Sequence, residues 1–159
     1  MRSEIVARRS IAAPPAAVAA FLAELPNHRA MADRYLRIEE LTRSGGLVAV
    51  LAPLGLRRTV RTRVTDRLRD RVGGTAAVGE RTHAEVEWRI EPESRGSRVA
   101  LAARVIEIGV LDRLLFYLGG RWWLRRRFEA ALGRLDHAVA AEAAVPAFAV
   151  VRPAATPAR

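Results

Sequence analysis

Over three long stretches in the middle of the chain, apolar and polar positions alternate with period two. In Arg57 to Asp66, Val60, Thr62 and Val64 alternate with Arg61, Arg63 and Thr65. In Thr82 to Glu91, Ala84, Val86, Trp88 and Ile90 alternate with His83, Glu85, Glu87 and Arg89. Val99, Leu101, Ala103 and Val105 then alternate with Arg98, Ala100, Ala102 and Arg104. Alternation of this length predicts antiparallel strands with one buried and one wet face. The last two stretches flank Glu93-Ser94-Arg95-Gly96-Ser97, a hairpin signal that sets Glu85 and Glu87 across from a strand carrying Arg98 and Arg104. Further strands are expected over Ser3 to Ile11, Tyr35 to Thr42, Leu47 to Ala52 and Arg71 to Val78. Ser44-Gly45-Gly46 reads as a turn, and Gly73-Gly74 admits a bulge or a close approach to the backbone. The expectation is about seven strands.

Helical spacing governs the rest of the chain. After Ala12-Ala13-Pro14-Pro15, the residues Val18, Phe21, Leu22 and Leu25 recur at helical intervals until Pro26, and Asn27 to Arg34 reads as a second short helix. From Val110 to about Glu142 two apolar stripes follow one another. The first is Leu111, Leu114, Leu115 and Leu118; the second is Leu124, Phe128, Ala131, Leu132, Leu135 and Val139. At about 100° per residue they are offset by roughly a quarter turn, and the offset falls at Gly119-Gly120. One straight helix cannot bury both, so the chain is expected to bend or restart there, with Leu111 to Leu118 as a flap. Beyond Ala143 there is no period and three prolines occur, which divides the chain into a domain over residues 1–142 and a Pro/Ala-rich tail over 143–159.

This order, a strand, two short helices, six further strands and a long closing helix, resembles the helix-grip fold of the START-like, Bet v 1-like superfamily, especially its polyketide cyclase/dehydrase and coenzyme Q-binding branches. The likeness rests on the first strand running into Ile11-Ala12-Ala13-Pro14-Pro15-Ala16-Ala17-Val18. It rests also on Trp88-Arg89-Ile90-Glu91-Pro92 leading through a hairpin to Val99-Ala100-Leu101, and on the closing helix. The resemblance implies an α+β domain whose curved sheet grips the helix around an apolar cavity. Candidates for lining it are Val60, Val64, Val86, Trp88, Ile90, Leu101, Val105, Leu115, Leu118 and Trp122. Read from the residues alone, the same inward set equally describes a solid core.

Composition narrows the chemistry. With 159 residues, half of them hydrophobic and 28% charged, the chain has the makings of one folded core and is no disordered segment. The absence of cysteine excludes disulfides, thiolate metal sites and a cysteine nucleophile. Glu4 and Pro14-Pro15 count against an export signal, no apolar run is long enough to span a bilayer, and a cytoplasmic protein is expected. The net charge is +10, and all 27 basic residues are arginine. A charge of this size attracts anionic partners, although arginine-only usage beside abundant alanine and glycine also follows from GC-rich coding.

No catalytic residue stands out. Asp66 and Glu107 continue the inward parity of their strands and are candidates for polar groups at the cavity mouth; strand ends are also where water reaches. His28, His83 and His137 are too scattered for a metal site, no phosphate loop or nucleophile elbow occurs, and no metal or cofactor is expected. Trp122 and Trp123 fall off the second stripe, and Trp123 with Arg125, Arg126 and Arg127 is a candidate contact for an anionic membrane surface. The expected function is binding or carrying a hydrophobic small molecule. The rivals are an aromatase/cyclase-like enzyme using the same cavity, and a peripheral protein meeting membrane, ribosome or RNA through its arginines.

Overall fold

The computed structural model describes residues 4–52 and 55–144. Its seven strands are β1 (Glu4–Ile11), β2 (Leu36–Thr42), β3 (Gly45–Leu51), β4 (Arg57–Arg67), β5 (Arg71–Val78), β6 (Thr82–Glu93) and β7 (Gly96–Glu107). They form one antiparallel sheet in the order β1-β7-β6-β5-β4-β3-β2. From β2 to β7 each neighbour is the next strand in sequence. The one long connection joins the two edge strands β1 and β2 and carries α1 (Pro15–Ala23) and a 3-10 turn (Leu25–Met31). The chain closes with α2 (Val110–Leu115), a π turn (Phe116–Gly120) and α3 (Arg121–Ala144). This is the α+β helix-grip arrangement that the resemblance implies.

Local chemistry accounts for the element ends. Pro14 caps α1, its carbonyl accepting from the backbone N–H groups of Ala17 and Val18 at 3.0 and 3.2 Å; α1 ends at Ala23, and Pro26 sits in the first turn of the 3-10 segment that follows. Gly45 and Gly46, expected in a turn, lie inside β3 instead, and the turn is Arg43-Ser44. The reason is crowding: a Cβ on Gly45 would meet the Thr62 carbonyl oxygen at 2.0 Å and one on Gly46 the Glu40 oxygen at 2.3 Å. Gly74 likewise faces the Arg63 carbonyl oxygen at 2.5 Å, opposite an extra residue that bulges β4 between Val64 and Asp66.

One core lies where α1 and α3 meet the β1, β7 and β6 side of the sheet. Val18, Phe21 and Leu22 of α1 and Leu132, Leu135 and Val139 of α3 close over Ile11, Trp88, Ile90, Val99 and Leu101. The second apolar stripe of the sequence is thus the buried face of α3. Most of the first is exposed: Leu115 alone of its four is partly covered, and the helix breaks after it, with Leu118 at ψ 21° and Gly119 at φ 111°. α3 runs to Ala144, two residues into the segment assigned to the tail; residues 145–159 lie outside the described residues.

Candidate functional site

The inner face of the sheet is largely apolar but only part of it is covered. Across the strands, Ala7, Leu101, Trp88 and Val72 form one row by register, and all are buried. The next row, Ile5, Ala103, Val86, Gly74 and Val64, runs to the core's border, where Val64 and Val86 are only partly buried. Beyond it the rows Val105, Ala84, Ala76, Thr62 and Val78, Val60, Val48, Ile38 are partly exposed and lie outside the core cluster. Two causes leave them open. α3 packs mainly along β1 and the 3-10 turn rather than across β3 to β5, and the small residues Gly46, Ala76 and Ala84 raise no bulk toward it. Of the lining candidates, therefore, Trp88, Ile90 and Leu101 belong to closed core, Val64 and Val86 form its border, and Val60 and Val105 line the open part.

At one end of this face α2 is latched by a polar cluster. Asp112 accepts hydrogen bonds from Arg58 and from the Thr82 hydroxyl, and Thr82 in turn accepts from the Gly109 backbone N–H at 3.0 Å. Arg58 and Thr82 both project from the inner face, so the latch ties α2 across the ends of β4 and β6. Beside it lies an open depression of about 740 Å³ lined by Arg58, Val78, Arg81, Val110, Leu111 and Leu114. Leu115 is half-buried there, whereas Leu118 and Trp122 project into solvent rather than toward the sheet. None of the sequence signals pointed to Asp112 or Thr82; a lone aspartate in the first turn of an amphipathic segment is an ordinary surface residue.

Asp66 and Glu107 do not reach the inner face. The bulge in β4 pairs Asp66 with Gly73, and a second register shift pairs Glu107 with His83, so each carboxylate changes sides relative to the simple alternation. Asp66 meets Arg71 at 3.1 Å, a residue that also holds Glu87 of the outer face, and Glu107 meets His83 Nδ1 at 3.2 Å. The expected mouth groups thus lie on the outer face, Asp66 in an ion pair and Glu107 in a hydrogen-bonded contact with His83. Glu85 pairs with Arg104 as the hairpin predicted, and Arg98 pairs with Glu93.

The tryptophan pair also divides differently from expectation. Trp123 is turned inward against Tyr35, with ring centroids 6.5 Å apart and planes at 88°. Arg127 lies beside it, its guanidinium 4.4 Å from the Tyr35 centroid, and it shares Asp33 with Arg134 at 3.4 and 3.1 Å. Arg127 Nε is buried without a hydrogen-bond partner, held against the two aromatic faces. Asp33 also accepts from the backbone N–H groups of Tyr35 and Leu36 at 2.8 and 2.9 Å, so one carboxylate both shapes the loop and anchors α3. Trp122 is the exposed indole, stacked under Arg126 at 4.2 Å, and Arg125 pairs with Glu129. Trp123 and Arg127 are therefore partly covered by the Asp33-Tyr35 loop, while Arg125 and Arg126 stand exposed.

The one histidine near the inner face is His28 of the 3-10 turn. Its ring meets Trp88 edge-on at 6.4 Å, and its Nε2–H donates to the Leu22 carbonyl at 2.8 Å. Burial lowers its pKa below the ordinary imidazole value, a shift the Leu22 hydrogen bond opposes and nearby Arg67 assists. A neutral imidazole donating from Nε2 keeps Nδ1 as an acceptor. Among the described residues no three His, Asp or Glu side chains gather as metal ligands, and no helix is long and apolar enough to cross a membrane.

Solved structures share this architecture. A Thermus thermophilus protein, TTHA0849, superposes with a TM-score of 0.67 at 18% identity, covering 89% of this chain and 100% of its own. SA2116 from Staphylococcus aureus gives 0.64 at 15% identity over 90% and 96%, and a Rhodobacter sphaeroides protein 0.63 at 21% over 88% and 93%. At such identities the likeness is one of fold. No curated protein matches the chain. The sequence itself, however, matches a family profile over residues 2–140, which takes in the sheet and all but the end of α3, and on that match the chain belongs to the polyketide cyclase/dehydrase and lipid transport family.

Proposed function

We propose that the protein binds a hydrophobic small molecule, a lipid, quinone or polyketide-like ring system, on the open half of its inner face, and acts as a carrier. The observation that carries this reading is the contrast within one largely apolar face: Trp88 and Leu101 are sealed by helices, while Val48, Val60, Ala76, Ala84 and Val105 stay partly exposed. Apolar surface in a concave setting gains by covering, at about 25 cal/mol per Å² removed from water. Family membership supports the same class of ligand. The outward placement of Asp66 and Glu107 favours binding over an aromatase/cyclase-like reaction, since Asp66 is paired with Arg71 and Glu107 lies against His83 on the outer face.

The test is titration with the neutral fluorophore N-phenyl-1-naphthylamine. Ala84→Trp places an indole where Ala76 and Val105 flank it, and is expected to weaken binding by roughly tenfold or more without unfolding the sheet. Leu118→Ser, at a side chain that projects into solvent away from the sheet, should leave that affinity unchanged. Undiminished binding to the Ala84→Trp protein removes the inner face as the site.

A further inference from the structure

Between Val110 and Trp122 the chain places six large apolar side chains in solvent: Val110 at 83% exposure, Leu111 and Leu114 at 55%, Tyr117 at 75%, Leu118 at 73% and Trp122 at 60%. Isolated exposed leucines are ordinary, but such a concentration in one segment marks an interaction surface. The basic residues around it are equally uncovered. Arg113, Arg121 and Arg126 are exposed and have no carboxylate within 4 Å among the described residues, and Arg125 carries only its pair with Glu129. Arg57 and Arg81 stand at the same end of the sheet, where β4 begins and β5 turns into β6. The acidic groups there are fewer than the arginines: Asp112 is taken by Arg58 and Thr82, and among the described residues Glu80 and Glu107 are left, the latter hydrogen-bonded to His83.

We propose that this end of the molecule docks on an anionic lipid bilayer, with α2, the π turn and Trp122 in the headgroup–acyl boundary and the arginines at the phosphates. Charge decides between occupants. A second copy would set arginine against arginine in a protein of net charge +10, and a nucleic acid would leave the leucines, Tyr117 and Trp122 in water. A bilayer takes both halves at once, because leucine and indole enter the interface while arginines remain at the headgroups. Docking also deepens the carrier reading, and the transfer route rests on that reading. α2 lies beside the open depression at the end of the inner face, so an apolar ligand passes between bilayer and sheet without crossing water.

Flotation with phosphatidylcholine vesicles, with and without phosphatidylglycerol, tests the proposal on the full chain. The protein is expected to float with the phosphatidylglycerol vesicles at low salt and to be released as salt rises. R113S/R121S should lower partitioning by roughly fivefold for each arginine removed. L114S/L118S/W122S should abolish flotation while melting at the wild-type temperature, since these side chains are exposed. Absent flotation at low salt overturns the proposal, and so does flotation undiminished in the triple variant. A dimer in sedimentation that the triple variant dissolves overturns it in favour of self-association. Binding of N-phenyl-1-naphthylamine separates the two readings. If flotation is lost and probe affinity kept, docking and cargo are distinct surfaces; if the probe fails and flotation persists, the carrier reading falls and docking stands.

Discussion

His28 shows how a single position ties folding to pH. Its imidazole lies against Trp88 and is held below the ordinary value by burial, so between the folded and unfolded pKa values the unfolded chain binds more protons. Stability from this residue is complete above about pH 6.5 and declines as pH falls through that value toward the folded pKa. The melting temperature should drop below about pH 6.5, and His28→Gln, which keeps a donor for the Leu22 carbonyl but cannot titrate, should flatten that part of the profile. An unchanged slope in the variant refutes the assignment. Nothing in the order Leu25-Pro26-Asn27-His28 distinguishes this histidine from a loop residue, because its burial comes from β6. Asp66 and Glu107 make the complementary point. Period-two parity placed both on the inner face, and one extra residue before each reverses it, so parity fails wherever a bulge intervenes.

At the scale of elements, glycines separate two physical demands. Gly119 needs its φ of 111° but has no neighbour within 4 Å where a Cβ would sit, so Gly119→Ala costs only backbone strain, about 1 kcal/mol. Gly45 has an ordinary strand conformation, yet its Cβ would collide with the Thr62 carbonyl, and Gly45→Ala should cost about 3 kcal/mol as β3 and β4 are forced apart. Chemical denaturation of both variants checks the order, and equal costs would contradict it. The break at Gly119 was legible from the offset stripes. Which stripe becomes core was not, because that depends on where β1 and α1 offer a surface. Trp123 and Arg127 show the same dependence, since the flank they occupy is covered only by the Asp33-Tyr35 loop.

For the whole molecule, burial divides the fold into a sealed side and an open one. The sealed side, β1, β7 and β6 under α1 and α3, holds nearly all of the core, whereas α2 rests on the Asp112 latch alone among its polar contacts to the sheet. Amide exchange should therefore be slowest in β6 and β7 and fast in Val110 to Leu118, with the flap opening long before the sheet. Asp112→Asn should raise exchange in the flap without changing it in β7. A flap as protected as β7 would show that α2 is part of the cooperative core. The alternations in β4, β6 and β7, the hairpin at Ser94-Arg95-Gly96 and the proline-bounded α1 are local, carried by neighbours within a few residues. For that reason the sequence by itself determined the element order and the hairpin pairings, and the resemblance carried by that order implied the helix-grip class. Whether the inner face is packed or open depends on where α3, at the far end of the chain, lies against a sheet whose edge strand β1 comes from its beginning. Which of two adjacent tryptophans meets water depends on a loop some ninety residues away, as the contact of Trp123 with Tyr35 records. Those choices arise from contacts distant in sequence, which leave no period in the chain, and only the tertiary structure decided them.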